Sequence, residues 1–306
     1  MFKKDRAINK ISGAFVMKKF LSFIILFLSV CILFTDLSYA KTQTAISKDG
    51  VPISFSVYGK GDVALVFIPG WSCNSSVWKN QVPYFSKKYR VVTLELAGHG
   101  KSGNERTVYT MESFAQDVVS VVKQINASKV ILIGHSMGGY VIIETAKIIP
   151  DNVIALVGID TIQNLEQAYT PEQVAEFVKP FKADFKNTTD SFVRGMFVQG
   201  TDLKLVNEIV DMMSNASPSV GVSAMENMFS TSYGAVNPPN IKTPVWCLNA
   251  DLWPTNAEIN RKYLTQFNLH IMPGVGHFLM LEKPNEFNKQ LDEIIKEILL
   301  NAKTTK

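Results

Sequence analysis

Short apolar runs alternate with longer amphipathic stretches along most of the chain. Runs of four to seven residues, each bounded by Gly, Pro or polar residues, lie at 63–68, 91–96, 130–133, 153–159, 245–248 and 269–272. Apolar runs of this length predict strands that are buried on both faces, as in a parallel sheet. Two earlier segments, 42–47 and 51–58, alternate apolar and polar residues around Asp49-Gly50, which predicts a hairpin.

Helical patterns separate these strands. They lie at 77–86, 111–125, 139–149, 256–265 and 284–300. The alternation predicts a doubly wound α/β fold, with a mostly parallel eight-stranded sheet and right-handed crossovers. Residues 161–240 interrupt the alternation with amphipathic helical segments such as 171–185 and 203–213. Because no repeat or low-complexity linker flanks this insertion, we expect a helical lid within one domain and not a second domain.

The first forty residues have the pattern of an export signal. Met17-Lys18-Lys19 precedes the apolar run 20–34, and Ser38-Tyr39-Ala40 places small residues at the positions that signal peptidase reads. The run is shorter than the roughly 20 residues that a membrane-spanning helix needs. We therefore expect residues 1–40 to be a signal peptide and 41–306 to be an exported, periplasmic or secreted domain with no stable membrane span after cleavage. The alternative is an uncleaved anchor.

Composition and charge exclude several classes of protein. Hydrophobic residues make up 46% of the chain and charged residues 19%, which excludes an intrinsically disordered protein. The formal charge of +4 comes from the leader, which holds six of the 31 basic and two of the 27 acidic residues and leaves 25 of each. This balance gives no electrostatic reason to expect nucleic-acid binding. Beyond the leader, Cys73 and Cys247 are expected to be buried thiols. The four histidines lack ligand spacing, so we expect no metal and no cofactor.

A candidate nucleophile lies between the predicted strand 130–133 and the next helix. Residues 134–139 read Gly-His-Ser-Met-Gly-Gly, with Ser136 flanked by glycine two positions away on either side. A tight strand-to-helix turn requires these glycines, because side chains would clash as the turn closes. Such a turn exposes the Ser136 hydroxyl above the sheet, and the positive end of the helix dipole favours the negative charge that develops there.

His277 is the candidate general base. It lies in a loop, Pro-Gly-Val-Gly-His-Phe at 273–278, between the last predicted strand and the last helix. The two glycines of this loop allow it to bend so that the imidazole reaches the edge of the sheet. The other histidines have structural interpretations: His99 in a glycine-rich turn, His135 as a packing or hydrogen-bonding residue that faces away from the hydroxyl, and His270 within a strand.

A carboxylate is needed to fix the tautomer of the histidine and to stabilise the imidazolium. Asp251 directly follows the predicted strand 245–248 and is the first candidate. Asp160 ends the strand 153–159, at the same carboxyl edge of the sheet where ligands bind in open α/β folds. We predict Asp251 as the acid, with Asp160 as the alternative.

Four motifs resemble those of the α/β-hydrolase fold superfamily of serine hydrolases, and the resemblance covers about residues 50–300 apart from the lid. Phe-Ile-Pro-Gly-Trp at 67–71 resembles the oxyanion loop, and Leu-Ala-Gly-His-Gly-Lys-Ser at 96–102 resembles the Gly-His-Gly-x-Ser turn. Segment 134–139 resembles the nucleophile elbow, and Gly-His-Phe at 276–278 resembles the histidine loop. One departure is the turn at 249–251, which is one residue shorter than the family's and lacks its glycine.

The resemblance implies a mechanism. The order Ser136, Asp251, His277 is the order that this superfamily uses, and the backbone N–H groups of Trp71 and Met137 are implied to form the oxyanion hole. A serine at the elbow argues against the dehalogenases and epoxide hydrolases of this fold, which have aspartate there. We therefore expect an enzyme that hydrolyses a carboxylic ester, thioester or lactone through an acyl-enzyme on Ser136.

The substrate is expected to be a small ester-type molecule with an apolar portion. The lid is rich in side chains that either line an apolar pocket or pack the lid onto the sheet. They are Phe177, Phe181, Phe185, Phe192, Met196, Phe197, Met212, Met213, Met225, Met228 and Phe229. Two alternative functions remain: a carbon–carbon bond hydrolase with the same triad, against which the export signal argues, and a non-catalytic ligand receptor, against which the complete triad argues.

Overall fold

An eight-stranded sheet forms the centre of the described part of the chain, which in this computed structural model comprises residues 42–231, 233, 238–264 and 266–304. The strands are β1 (Thr42–Ile46), β2 (Pro52–Tyr58), β3 (Val63–Ile68), β4 (Arg90–Leu94), β5 (Lys129–His135), β6 (Val153–Ile159), β7 (Val245–Ala250) and β8 (Phe267–Met272). Their order is β1-β2-β4-β3-β5-β6-β7-β8. β2 pairs antiparallel with β1 and β4, and the remaining pairs are parallel. The predicted mostly parallel, eight-stranded α/β sheet is confirmed.

Helices cover both faces of the sheet and form the lid. They are α1 (Val82–Phe85), α2 (Met111–Gln124), α3 (Met137–Ile148), α4 (Pro171–Ala183), α5 (Phe185–Arg194), α6 (Leu203–Ser214), α7 (Pro218–Ser230), α8 (Ala257–Tyr263), α9 (Leu279–Glu282) and α10 (Pro284–Thr304). The lid predicted within 161–240 consists of α4 to α7. α4 begins with a capping box, in which the Thr170 hydroxyl accepts from the Gln173 backbone N–H and the Gln173 side chain accepts from that of Thr170.

One predicted helix is wrong. The stretch 77–86 is not a single helix but a 3₁₀ turn at Ser75–Trp78 followed by the one-turn helix α1. Pro83 explains the break, because it has no backbone N–H and is tolerated only in the first turn of a helix. The apolar residues of 77–86 fit one continuous helix, but with Pro83 in the segment a new helix begins at Val82.

The core lies where the strands and the long helices meet. Strands β3, β5 and β6 are buried along almost their whole length, as predicted for strands covered on both faces. Helix α10 buries the apolar stripe Phe287, Leu291, Ile294 and Ile298, which recurs every three or four residues. The leader predicted at 1–40 lies outside the described residues. In the part that the structure describes, no helix is both long enough and apolar enough to cross a bilayer.

Candidate active site

Ser136 occupies a strained turn between β5 and α3. Its backbone has φ 53° and ψ −119°, outside the regions that residues with a side chain normally adopt. A Cβ atom at Gly134 would lie 2.3 Å from the Gly138 carbonyl oxygen, and one at Gly138 would lie 2.8 Å from the Ile68 carbonyl oxygen. Both glycines are therefore required, the first to close the turn and the second to let α3 approach β3. The predicted nucleophile elbow is present in the structure.

We expect Gly134→Ala to destabilise the fold by about 3 kcal/mol, because the added methyl group meets backbone atoms that cannot move without opening the turn. Gly195→Ala is the matched control. Gly195 has φ −69° at the end of α5, and a Cβ atom there would meet nothing closer than 3.4 Å. Its replacement should change stability by less than about 1 kcal/mol. Urea denaturation of both variants measures the difference, and equal stabilities would contradict this account of the elbow.

Hydrogen bonds from β6 and the residues after it hold the elbow in place. The Ser136 backbone N–H donates to the Ile159 carbonyl at 3.0 Å, and the Ser136 carbonyl accepts from the Thr161 hydroxyl at 2.8 Å. Thr161 also lies so close to α3 that a Cβ atom at Gly139 would be 2.3 Å from its methyl group. The end of β6 is thus tied directly to Ser136.

Asp160, at the end of β6, contacts His277. Its Oδ2 atom lies 2.6 Å from His277 Nδ1, and its Oδ1 accepts from the Ala250 backbone N–H at 3.0 Å. The Asp160 side chain is fully buried, and its backbone has a φ of 44°, a conformation that is uncommon for a residue with a side chain. Because a carboxylate only accepts hydrogen bonds, the proton on the ring is held at Nδ1 and the other nitrogen, Nε2, carries a lone pair.

The prediction that Asp251 pairs with His277 is wrong. Asp251 is exposed, and its carboxylate accepts from the Gly274 backbone N–H at 2.9 Å. The reason lies in the short turn noted in the sequence. β7 stays paired with β8 up to Ala250, which lies opposite Met272, so Asp251 follows the strand immediately. Its carboxylate is therefore bonded to the start of the histidine loop. The alternative acid, Asp160, takes the place next to the imidazole.

The histidine loop is held by the lid and by the elbow. The His277 backbone N–H donates to the Met196 carbonyl at 2.8 Å, and its carbonyl accepts from His135 Nε2 at 2.9 Å. Since a carbonyl only accepts, His135 carries its proton on Nε2. Burial, together with the nearby His277, lowers the pKa of His135 well below its usual value, so this ring stays neutral. His135 is thus a hydrogen-bonding residue, as predicted.

Ser136 and His277 line the same cavities, but no hydrogen bond joins their side chains in the part of the chain that the structure describes. Catalytic hydrogen bonds are commonly long in unliganded enzymes and shorten when substrate binds.

The loop after β3 lies against Ser136. A Cβ atom at Gly70 would be 3.1 Å from that of Ser136, so Trp71 follows at the immediate edge of the elbow. The Trp71 indole N–H donates to the Gly221 carbonyl in α7 at 2.7 Å and fixes this loop to the lid. Met137 is the first residue of α3, where backbone N–H groups have no partner within the helix. Both residues predicted for an oxyanion hole therefore lie beside Ser136.

His99 has a role that sequence reasoning missed. Its Nε2 accepts from the Ser72 backbone N–H at 3.2 Å, while Nδ1 lies 3.0 Å from the Ala97 carbonyl and therefore carries the proton. Ser72 has a φ of 54°, so this bond holds the loop after β3 in an unusual conformation. The contact joins residues 27 positions apart, and nothing local in the sequence indicates it.

Two cavities meet at Ser136 and His277. The small cavity, of about 50 Å³, lies between the oxyanion loop and the lid. It is lined by Gly70, Trp71, Cys73, His135, Ser136, Phe192, Met196, Met213, Met225, Met228, Phe229, His277 and Phe278. The large cavity, of about 610 Å³, is more open and extends over α3 and the segment after β6. Of the lid side chains singled out in the sequence, Phe181 and Phe185 instead pack against the Trp71 ring.

The described residues contain no group of three or more His, Cys, Asp or Glu side chains that could hold a metal ion. Cys73 and Cys247 are free and buried, as predicted. Burial raises the pKa of the Cys73 thiol to about 12, so it stays protonated at neutral pH although it lines the small cavity.

Comparison with known families agrees with this geometry. A family model described as alpha/beta hydrolase fold matches residues 63–217, a little over half of the chain. The chain belongs to the α/β-hydrolase fold family. The match includes the oxyanion loop, the elbow and Asp160, and it ends within the lid.

Relatives within this family have different functions. A pimeloyl-[acyl-carrier protein] methyl ester esterase from Wigglesworthia glossinidia brevipalpis is 26% identical over 264 residues, which cover 80% of this chain and 98% of the relative. The karrikin insensitive 2 receptor CA of Petunia hybrida is 20% identical over 245 residues, covering 75% and 90%. An esterase from Exiguobacterium antarcticum has a TM-score of 0.76 and 20% identity over 84% of this chain and 100% of the esterase, which shows the fold alone. Several other relatives are matched over less than half of their own length.

Proposed function

We propose that the protein is a serine hydrolase that cleaves a carboxylic ester, thioester or lactone through an acyl-enzyme on Ser136. The observation that carries the proposal is that one cavity contains both the strained elbow serine and a histidine whose Nδ1 is bonded to a buried aspartate. His277 is then the base and Asp160 the acid. The relation to a methyl ester esterase over nearly its whole length supports the same chemistry.

The reaction follows from the positions of these groups. Ser136 Oγ attacks the carbonyl carbon while its proton moves to His277 Nε2, and the oxyanion is stabilised by the backbone N–H groups of Trp71 and Met137. The carbon–oxygen bond to the alcohol then breaks as His277 returns the proton to the leaving oxygen. Water attacks the acyl-enzyme, gives its proton to His277, and the carboxylic acid leaves as Ser136 Oγ regains a proton.

The size of the small cavity sets an expectation for the acyl group. The small cavity, of about 50 Å³, has less than a tenth of the volume of the large cavity, of about 610 Å³. We therefore expect kcat/KM for p-nitrophenyl esters to be highest for acetyl to butyryl and to fall at least about tenfold for octanoyl, which costs more than 1.4 kcal/mol to accommodate. The assay runs beside labelling of the wild-type protein by a fluorophosphonate. A protein that neither turns over any of these esters nor takes the label would overturn the proposed activity and favour a receptor.

We also propose that the protein is exported. The basis is the charged, apolar and small-residue pattern of residues 1–40. The expected result is that protein recovered from the extracytoplasmic fraction begins at or near Lys41. N-terminal sequencing tests this directly, and a start at Met1 or Met17 in that fraction would refute cleavage.

A further inference from the structure

Two kinds of side chain line the large cavity. The first kind is the side-chain amides of Gln163, Asn164, Gln167 and Asn256. The Oδ1 atoms of Asn164 and Asn256 accept from the backbone N–H groups of Glu166 and Ile259, which leaves their NH₂ groups available. Among the described residues, the side-chain amides of Gln163 and Gln167 have no hydrogen-bond partner. These side chains therefore offer both donors and acceptors to a ligand.

The second kind of side chain is aromatic and exposed. Tyr169, Phe177 and Trp253 are 42%, 41% and 39% exposed, and all three line the large cavity. They are three of the eight large apolar side chains that are exposed in the described part of the chain. Exposed aromatic rings gathered around one cavity are typical of a surface that a ligand covers.

The charges in this cavity exclude an anionic ligand. Among the described residues that line it, the only carboxylate is that of Asp160, which is buried against His277, and none is Lys or Arg. A carboxylate or phosphate on the ligand would have no cationic partner and would lie near an existing negative charge. A ligand that fits is neutral, has an apolar face for the rings and carries several hydroxyl groups for the amides.

We propose that the large cavity binds a neutral sugar ring, so that the substrate is a short-chain acyl ester of a carbohydrate. This inference rests on the proposed function. Both cavities reach His277, so the other side chains that line them set the orientation. The sugar occupies the large cavity, which carries the amides, and the acyl group occupies the small cavity, which Gly70 and Trp71 line. Trp253 lines only the large cavity of the two and packs against the His277 ring at 5.2 Å between centroids, so a sugar on Trp253 lies beside the group that returns the proton.

The test compares two acetate esters with the same kind of leaving group. Methyl 6-O-acetyl-glucoside and cyclohexylmethyl acetate both release a primary alcohol on a six-membered ring, but only the first carries hydroxyl groups. For wild-type protein we expect kcat/KM to be at least tenfold higher for the sugar acetate. The methyl glycoside of 4-O-acetyl-glucuronic acid, with its C6 carboxylate free, should be cleaved at least tenfold more slowly than methyl 4-O-acetyl-glucoside, from which it differs only at C6.

Variants of Gln163 and Gln167 test whether their side-chain amides cause the preference for the sugar acetate. In a Gln163→Ala, Gln167→Ala double variant, the ratio of kcat/KM between sugar acetate and cyclohexylmethyl acetate should fall about tenfold, mainly through KM for the sugar. Gln124→Ala is the matched control, because Gln124 is exposed at the end of α2, far from the site, and the ratio should stay at its wild-type value.

The outcomes separate this inference from the proposed function. The sugar site is overturned if wild-type protein cleaves p-nitrophenyl acetate but has the same kcat/KM for cyclohexylmethyl acetate and for the sugar acetate. That outcome leaves the proposed esterase activity standing. An unchanged ratio in the glutamine double variant also overturns it. Absence of activity on every ester, together with absence of fluorophosphonate labelling, overturns the proposed function itself.

Discussion

Replacing Ser136 with alanine is expected to abolish covalent labelling by a fluorophosphonate and to lower kcat for p-nitrophenyl acetate by about 10⁴-fold or more. In the proposed mechanism the hydroxyl forms the acyl-enzyme, and alanine cannot replace it. The Cys73 thiol lines the small cavity too, but burial raises its pKa to about 12, so it does not substitute as a nucleophile at neutral pH. Labelling followed by intact-protein mass spectrometry, together with steady-state kinetics, measures both effects.

A matched serine variant makes this result specific. Ser120 lies on α2, away from both cavities, and its hydroxyl donates to the Asp117 carbonyl at 2.7 Å. Ser120→Ala should keep full labelling and turnover. Because the Ser136 hydroxyl has no hydrogen-bond partner among the described residues, Ser136→Ala should also unfold at nearly the wild-type urea concentration. Undiminished labelling of Ser136→Ala would remove this residue from the mechanism.

Features that depend on neighbouring residues could be predicted from the sequence. The bounds of β3 and β6 agree with the predicted 63–68 and 153–159, because fully buried strands leave an uninterrupted apolar run. The elbow was predictable for the same reason. The clash that requires glycine at Gly134 involves a carbonyl only four residues later, so the whole constraint lies within one short motif.

Features that depend on distant contacts could not be predicted. The prediction of Asp251 as the partner of His277 was wrong, and the bond that His277 makes with Asp160 instead joins residues 117 positions apart. The lid is similar. The sequence named Phe185 and Phe192 as residues that either line a pocket or pack the lid onto the sheet, and only the tertiary structure shows that Phe185 packs on Trp71 while Phe192 also reaches the cavity.

The unpartnered side-chain amides of the large cavity could not be predicted from the sequence either. Gln163 and Gln167 lie in an irregular segment after β6 and match none of the motifs that carry the resemblance. That they line the cavity depends on the tertiary structure, which the sequence does not reveal.

Because Asp160 is the proposed acid, its replacement should have the second large effect on kcat. Asp160→Asn should lower kcat by about 10⁴-fold while KM changes little. The asparagine oxygen can still accept from the Ala250 backbone N–H, which leaves the new NH₂ group facing His277 Nδ1. A donor in that position requires Nδ1 to accept, so the ring proton moves to Nε2 and the imidazole can no longer take the proton of Ser136. Steady-state kinetics on p-nitrophenyl acetate at saturating substrate measures the loss.

Asp251→Asn is the control that the structure itself provides. Unlike Asp160, Asp251 is exposed. Its carboxylate accepts a hydrogen bond from the Gly274 backbone N–H, and an asparagine oxygen can accept the same bond. This variant should therefore keep most of the wild-type kcat, and its stability should fall by no more than about 1 kcal/mol. If Asp251→Asn were the inactive variant and Asp160→Asn the active one, the acid would come from the end of β7, and the histidine loop would have to reorganise during turnover to bring His277 to it.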